Sequence, residues 1–431
     1  MMRAAVIFPG QGAQYVGMAK ELTDKYAFAR TRFAEASDAA GIDLLKLCAE
    51  GPLDRLTLTA NAQPAVLAAS YIAFEALQQE TGLEPTMLAG HSLGEYTALA
   101  CAGGLSFYDA VRIVRYRGQL MQQAVAPGIG AMMSIIGPSA ERVECACAEA
   151  TMPGSVVVIS NYNSPEQTVI SGHSDAVERC GELLQEEGAK TVKLNVSAPF
   201  HSPLMEEASE SLREELLKLD YKPLRYQVIS NVTALPHHNE SGIAELLTRQ
   251  LTAPVMWAQT AAYIAQHKMA ICIDTGPSSI ALNLMRSTSP TMKLFAYDKT
   301  VEQDRVHRLF RHMRPAAPST LAFVSRCLAI AVCTPNTNWN ASEYEEGAAK
   351  PYKDIHQLQL KLDEEGRAPT DEEMARALEM LVSVFETKRT PPAEQRRRYE
   401  QLMKETGTES LFYDKGLIDD VASERQYPVS R

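Results

Sequence analysis

The sequence predicts an α/β fold: a large domain with a parallel sheet, an inserted small subdomain, and a helical C-terminal extension. Three observations carry this. Strand-like and helix-like segments alternate through the first three hundred residues, as they do in α/β rather than segregated architectures. Within them, a β-α-β-β-α-β succession follows Pro127 and has ferredoxin-like order. Beyond Pro315-Ala316-Ala317-Pro318-Ser319, a junction by composition, the chain becomes a series of charge-rich helical segments. The expected division is residues 1–127 and 199–314 for the large domain, 128–198 for the subdomain and 320–431 for the extension.

The elements follow in order. Residues 3–8 read as the first strand, and the start of the chain is too short for a signal-peptide core. Residues 56–80 read as mostly helix, 86–89 as strand, and 92–102 and 106–126 as helices. Pro127-Gly128-Ile129-Gly130 breaks the pattern. The subdomain then reads as strand 131–136, helix 138–150, strands 156–159 and 168–171, helix 174–188 and strand 191–196. The large domain resumes with a helix near 203–218, strands at 226–230 and 270–274, and the Gly276-Pro277 turn. In the extension, Thr370-Asp371-Glu372-Glu373 is a capping box after Pro369. Met374, Leu378, Leu381, Val382 and Phe385 then form an apolar stripe, which is expected to pack on the catalytic body.

Composition narrows the classes of function. A chain of 431 residues has room for two or three domains and a sizeable core. A formal charge of −11 argues against nucleic acid as a partner while leaving room for a local basic patch. No apolar run approaches bilayer length, so no membrane partner is expected. Eight scattered cysteines do not suggest a disulfide framework, and Cys145 and Cys147 read as buried thiols because no second pair stands at zinc-ligand spacing. A cytoplasmic enzyme without a metal fits these features.

The chemistry centres on Gly90-His91-Ser92-Leu93-Gly94. A strand-like lead precedes it and a good helix start follows it. Glycines two before and two after a serine permit a sharp strand-to-helix turn with the hydroxyl exposed at its apex, which gives the large domain its α/β-hydrolase-like reading. The helix start adds free N–H groups and a positive dipole end. A serine needs a base. Of nine histidines, His201 stands out in the proline-flanked loop Ser197-Ala198-Pro199-Phe200-His201-Ser202-Pro203. His91 adjoins the serine on a sharp turn and points away from it, whereas His173, His237, His238 and His267 read as surface residues.

Several segments together resemble the malonyl-CoA:acyl-carrier-protein transacylase family from about residue 4 to about residue 285. They are Phe8-Pro9-Gly10-Gln11-Gly12-Ala13-Gln14, the serine pentapeptide with Glu95-Tyr96, and Arg117-Gly118-Gln119-Leu120-Met121-Gln122. Asn161-Tyr162-Asn163-Ser164-Pro165, Val169-Ile170-Ser171-Gly172, the His201 loop and Gln250-Leu251 with Pro254-Val255 follow in order. The resemblance implies Ser92 as the acylated nucleophile and His201 as general base and acid. It implies an oxyanion hole from the backbone N–H groups of Gln11 and Leu93, and a Gln250 backbone carbonyl orienting the histidine in place of a triad acid. It also implies that Arg117 clamps the malonyl carboxylate, since a guanidinium offers a planar two-point grip. Phe200 matches malonyl-selective members, and His91 and Asn161 are further pocket candidates; a turn-forming role for Asn161 is the alternative.

The implied reaction is ping-pong transfer of malonyl from malonyl-CoA to the phosphopantetheine thiol of an acyl carrier protein, with no metal or redox cofactor. Such carriers are acidic, and Arg305, Arg308, Arg311 and Arg314, or Arg396-Arg397-Arg398, are candidate docking residues; solvated helix faces are the alternative. Two departures stand out. The family's Gly-Pro-Gly is Gly276-Pro277-Ser278 here, and about 110 residues follow the usual end of the catalytic body. The extension leans the pathway toward polyketide rather than fatty-acid synthesis. The alternatives are an acyl hydrolase that clears carrier proteins, a generic esterase, and a non-catalytic interaction protein working through the C-terminal helices.

Overall fold

Strand β1 (Ala4–Phe8) is buried along its whole length at the centre of a five-stranded parallel sheet. β2 (Met87–Gly90) flanks it on one side with β7 (Gln227–Ile229) beyond, and β8 (Ile271–Asp274) and β9 (Lys293–Ala296) continue the other side. Its unbroken apolar run, Ala4-Ala5-Val6-Ile7-Phe8, is what a parallel strand covered on both faces requires. Phe8 pairs with Gly90 and Ile7 with Asp274, so the loops leaving β1, β2 and β8 emerge together at the carboxyl edge of the sheet. In open parallel sheets that edge is where ligands bind. This computed structural model describes residues 3–196, 198–288, 292–310 and 320–408 and divides into two units, Met1–Met313 and Arg314–Arg431.

Helix packing fixes the surroundings of the carboxyl edge. α1 (Thr59–Thr81) is buried and Ala-rich, and α2 (Leu93–Cys101) starts directly after β2. α3 (Phe107–Gln123) begins at Ser106, whose hydroxyl accepts from Asp109 N–H. At Gly118 a Cβ would sit 2.8 Å from Ala60 Cα and from Thr59 O. Only glycine lets α3 press so closely on α1, and that approach brings Arg117 to Gln63.

The insertion forms a separate four-stranded antiparallel sheet in the order β4-β5-β3-β6, made of β3 (Gly130–Ile136), β4 (Val157–Ser164), β5 (Gln167–His173) and β6 (Lys190–Lys193). Ala131, Met133 and Ile135 pack with α4 (Ala140–Ala150) and α5 (Ser174–Glu186), while Met132 and Val169 join the main core. Val255 N–H donates to Ser160 O at 2.8 Å, and Tyr162 N–H to Val255 O at 3.0 Å, which ties this sheet to the large one.

Several expectations shift. The helix expected over 56–80 breaks at Leu58, whose extended backbone separates Leu53–Thr57 from α1. β4 runs on through Ser164 across two register shifts, so Asn161 lies in a strand and the turn-forming alternative falls. β6 stops at Lys193, and Leu194–Val196 turn into the cavity described below. His237 is buried, because the loop after β7 folds back with His237 N–H donating to Val228 O at 2.9 Å; of the four histidines expected at the surface, His238 alone is exposed. His173 and His267 are half-buried and bonded to backbone. Cys147 is buried but Cys145 is exposed, since residues two apart on a helix face different ways.

The C-terminal unit has its own core. It is built on α6 (Phe323–Cys333), α7 (Lys350–Glu365), α8 (Asp371–Thr387) and α9 (Pro392–Thr406). Thr370 and Glu373 make the capping box at the start of α8. Met374, Leu378, Leu381 and Phe385 are buried against helices of this same unit. Val382, about 100° round the helix from Leu381, faces outward at 45% exposure. The 315–319 junction, Ser197, Arg311, Arg314 and the chain after residue 408 lie outside the described residues.

Candidate active site

The turn after β2 is forced by close contacts. A Cβ on Gly90 would fall 2.0 Å from Gly94 C and O, and one on Gly94 would fall 2.4 Å from Phe8 O. Between them Ser92 adopts φ 49° and ψ −100°, a backbone state that costs a non-glycine residue about 1–3 kcal/mol. Asn231 holds it there. Its Oδ1 accepts from Ser92 N–H at 2.6 Å, and its Nδ2 donates to Gly90 O at 2.7 Å.

His201 also has a positive φ, 57°, and only 3% of its surface is exposed. Its Nδ1–H donates to the Gln250 carbonyl at 2.6 Å, which leaves Nε2 as an acceptor 2.9 Å from Ser92 Oγ. Burial first, and then the Arg117 cation, push its pKa down to about 3, so the ring is neutral and able to take a proton. No carboxylate touches this histidine among the described residues.

Arg117 is 1% exposed. Nη1 donates to Gln63 Oε1 at 2.8 Å, and Nη2 donates both to Gln250 Oε1 and to Ser92 Oγ at 2.9 Å. The guanidinium lies over the Tyr96 ring, 5.3 Å from its centroid. Nε is buried with no acceptor, and no carboxylate pairs with this residue among the described residues. Burial lowers its pKa from the guanidinium range.

Ser92, His201, Arg117 and Gln63 line one cavity of about 350 Å³ with Gln11, Leu93, His91, Asn161 and Phe200, while Gln250 and Asn231 stand behind it. Leu93 is the first residue of α2, so its N–H lacks an intrahelical partner. His91 Nε2 lies 3.0 Å from Asn163 Oδ1, and burial lowers its pKa. Asn161 Oδ1 accepts from Ser160 Oγ at 2.7 Å.

Four further residues enter the site that the sequence did not single out: Asn231, Glu95, His237 and Gln63. Glu95 and His237 are fully buried and 2.9 Å apart, and Glu95 also accepts from Asn231 N–H and from Gln250 Nε2. Glu95 was legible in one respect, as the sole charge in the apolar segment Leu93–Cys101.

A serine bonded to a buried histidine at a strand-to-helix turn, on a parallel sheet, is an acyl-transfer arrangement, and residues 6–320 match the Acyl transferase domain family. A malonyl CoA-acyl carrier protein transacylase of Bacillus subtilis is 34% identical over 397 residues, covering 92% of this chain and 99% of that protein. Among solved structures, a malonyl-CoA:acyl carrier protein transacylase from Xanthomonas oryzae pv. oryzae superposes with a TM-score of 0.70 at 38% identity, covering 72% of this chain and 98% of its own. A type II polyketide synthase acyl-carrier protein in complex with its malonyl-transacylase gives 0.69 at 38% identity, covering 71% and 99%. The chain belongs to the malonyl-CoA:acyl-carrier-protein transacylase family.

Proposed function

We propose that this chain moves a malonyl group from malonyl-CoA to the phosphopantetheine thiol of an acyl carrier protein through a malonyl ester on Ser92. The observation that carries the substrate choice is Arg117. A buried guanidinium with an unpartnered Nε and no carboxylate of its own, 2.9 Å from the nucleophile, suits a carboxylated acyl group. An uncharged acyl chain would leave that cation unmatched, which disfavours the hydrolase reading.

In this reading Ser92 O–H gives its proton to His201 Nε2 as Oγ attacks the thioester carbonyl. The Nδ1–H bond to Gln250 O holds the ring in place and spreads the new positive charge. The oxyanion forms toward the N–H groups of Gln11 and Leu93, where fixed dipoles need no reorganisation. As the intermediate collapses, the C–S bond breaks and His201 returns its proton to the departing CoA sulfur. The carrier's thiol then gives its proton to His201 and attacks the seryl ester; as the ester C–O bond breaks, His201 returns the proton to Ser92 Oγ. No metal or redox cofactor takes part in these steps.

The finer architecture belongs to the same proposal. Residues 128–198 are read as a ferredoxin-like subdomain, supported by the sheet order β4-β5-β3-β6 with two helices on one face. The large domain is read as hydrolase-like, supported by the strand–turn–helix at Ser92 on a parallel sheet. A cytoplasmic setting is supported by the free cysteines, including Cys147 and Cys180, whose sulfurs lie 3.9 Å apart unbonded. No helix among the described residues is long and apolar enough to cross a membrane.

The test is to mix the chain with labelled malonyl-CoA or acetyl-CoA, with and without carrier protein, and follow the intact mass. A malonyl adduct on Ser92 that passes to the carrier is expected. Acetyl loading followed by rapid hydrolysis, with no malonyl adduct, refutes the proposal.

A further inference from the structure

Glu95 and His237 lie behind the site, away from Ser92 Oγ, and the steps above do not use them. A buried carboxylate can only accept hydrogen bonds, so the Gln250 carboxamide must turn its NH2 end toward Glu95 Oε2, 2.7 Å away. Its oxygen then faces Arg117 Nη2 at 2.9 Å. Turned over, the carboxamide would set donor against donor and acceptor against acceptor at both ends. Glu95 is itself fixed by His237 Nε2 at 2.9 Å and by Asn231 N–H at 3.0 Å. His237 Nδ1 is buried without a partner, so this geometry fits a ring whose one proton sits on Nε2 and is donated to the acid.

The result is an arginine and its counter-charge separated by one carboxamide. In direct contact, Glu95 would occupy the guanidinium edge that a substrate carboxylate needs. With no counter-charge at all, the buried cation would be costly. We infer that Gln250, held in one orientation by Glu95 and His237, is a spacer that lets Glu95 balance the Arg117 charge without contacting it, and that this spacing selects a carboxylated acyl group. The three are positioning residues, and the inference rests on the transacylase reading above.

Two variants with opposite expected signs test it. Gln250→Glu with Glu95→Gln moves the negative charge onto Arg117 while conserving net charge, shape and the Gln250 backbone carbonyl that holds His201. Malonyl kcat/KM is expected to fall about a hundredfold, mainly through KM, and about tenfold or more further than acetyl kcat/KM. Glu95→Gln alone keeps an oxygen for Gln250 but removes the counter-charge, so malonyl KM should stay level or fall. Thermal melting identifies a variant that does not fold, and the other then decides. A folded double variant that loads malonyl as well as wild type, or an equal loss of malonyl and acetyl loading, overturns the inference; so does a raised malonyl KM in a folded Glu95→Gln. A wild-type chain that takes no malonyl refutes the transacylase reading itself.

Discussion

Replacing Arg117 by alanine separates substrate selection from the chemistry of Ser92, and the structure sets the size of the effect. The guanidinium is 1% exposed, and its Nε has no protein acceptor. A malonyl carboxylate arriving there would form a buried charged pair. Removing one partner of such a pair costs about 3–5 kcal/mol. At about 1.4 kcal/mol per factor of ten, malonyl kcat/KM should fall by roughly two to three and a half powers of ten. Acetyl has no carboxylate to lose. For it the substitution removes the Nη2–Ser92 Oγ bond, 2.9 Å long, and a hydrogen bond to a charged group is worth about 1.5–3 kcal/mol net, roughly one to two powers of ten; malonyl loses this bond as well as its carboxylate's partner. The assay is single-turnover acyl-enzyme formation followed by intact mass over a range of malonyl-CoA or acetyl-CoA concentrations. Equal factors for the two thioesters would falsify the clamp and make Arg117 a structural residue.

Other expectations follow from the same geometry. With the His201 pKa near 3, acylation should stay flat from about pH 5 to about pH 8, and an acid limb near the ordinary histidine value of 6.5 would contradict this. The folded pKa lies below the unfolded one, so this group's contribution to stability is complete above 6.5 and declines as pH falls toward 3, measurable by melting against pH. Asn231→Ala frees both ends of the serine turn and should slow malonyl and acetyl loading alike by about ten- to a hundredfold; a selective loss of malonyl would reassign it. Ser278→Gly relieves a φ of 63° and removes a buried hydroxyl without a partner, so it should stabilise the fold by about 0.5–1 kcal/mol in denaturant midpoints, and destabilisation would refute that. A chain ending at residue 313 should load malonyl within about threefold of full length, and loss of loading in a folded product would show that the extension is required.

What the sequence revealed was what close packing forces into local spacing. Gly90, Gly94 and Gly118 are legible because a Cβ at each would meet backbone or buried atoms, and those glycines mark where Ser92 and Arg117 sit. The alternation of strands and helices was legible for the same local reason. The support for the site was not. Asn231 and His237 stand 139 and 142 residues from the groups they bond, and no periodicity links such positions. His237 misleads because Pro236, His238 and Asn239 mark a loop, and a loop can still turn one side chain inward. Val382 misleads differently: it lies beside a true apolar stripe, one position out of phase.

The C-terminal unit is accounted for largely by its own packing. The α8 stripe is buried by helices of its own unit, so the apolar pattern in this region gives no reason to expect a partner groove. The arginine run is also partly accounted for: Arg397 and Arg398 reach Glu394 at 3.6 and 3.1 Å, as solvated helix pairs do. Yet the alignment with the Bacillus subtilis relative spans 397 residues, more than the first unit contains, so it must run well into this region. The solved transacylases are matched almost end to end by about seven-tenths of this chain. Acyl transfer is therefore the property shared by all these proteins, whereas a function of the helical unit can be shared only by relatives that carry one. A comparison of carrier-protein preference between long and short members would address that unit more directly than further study of Ser92.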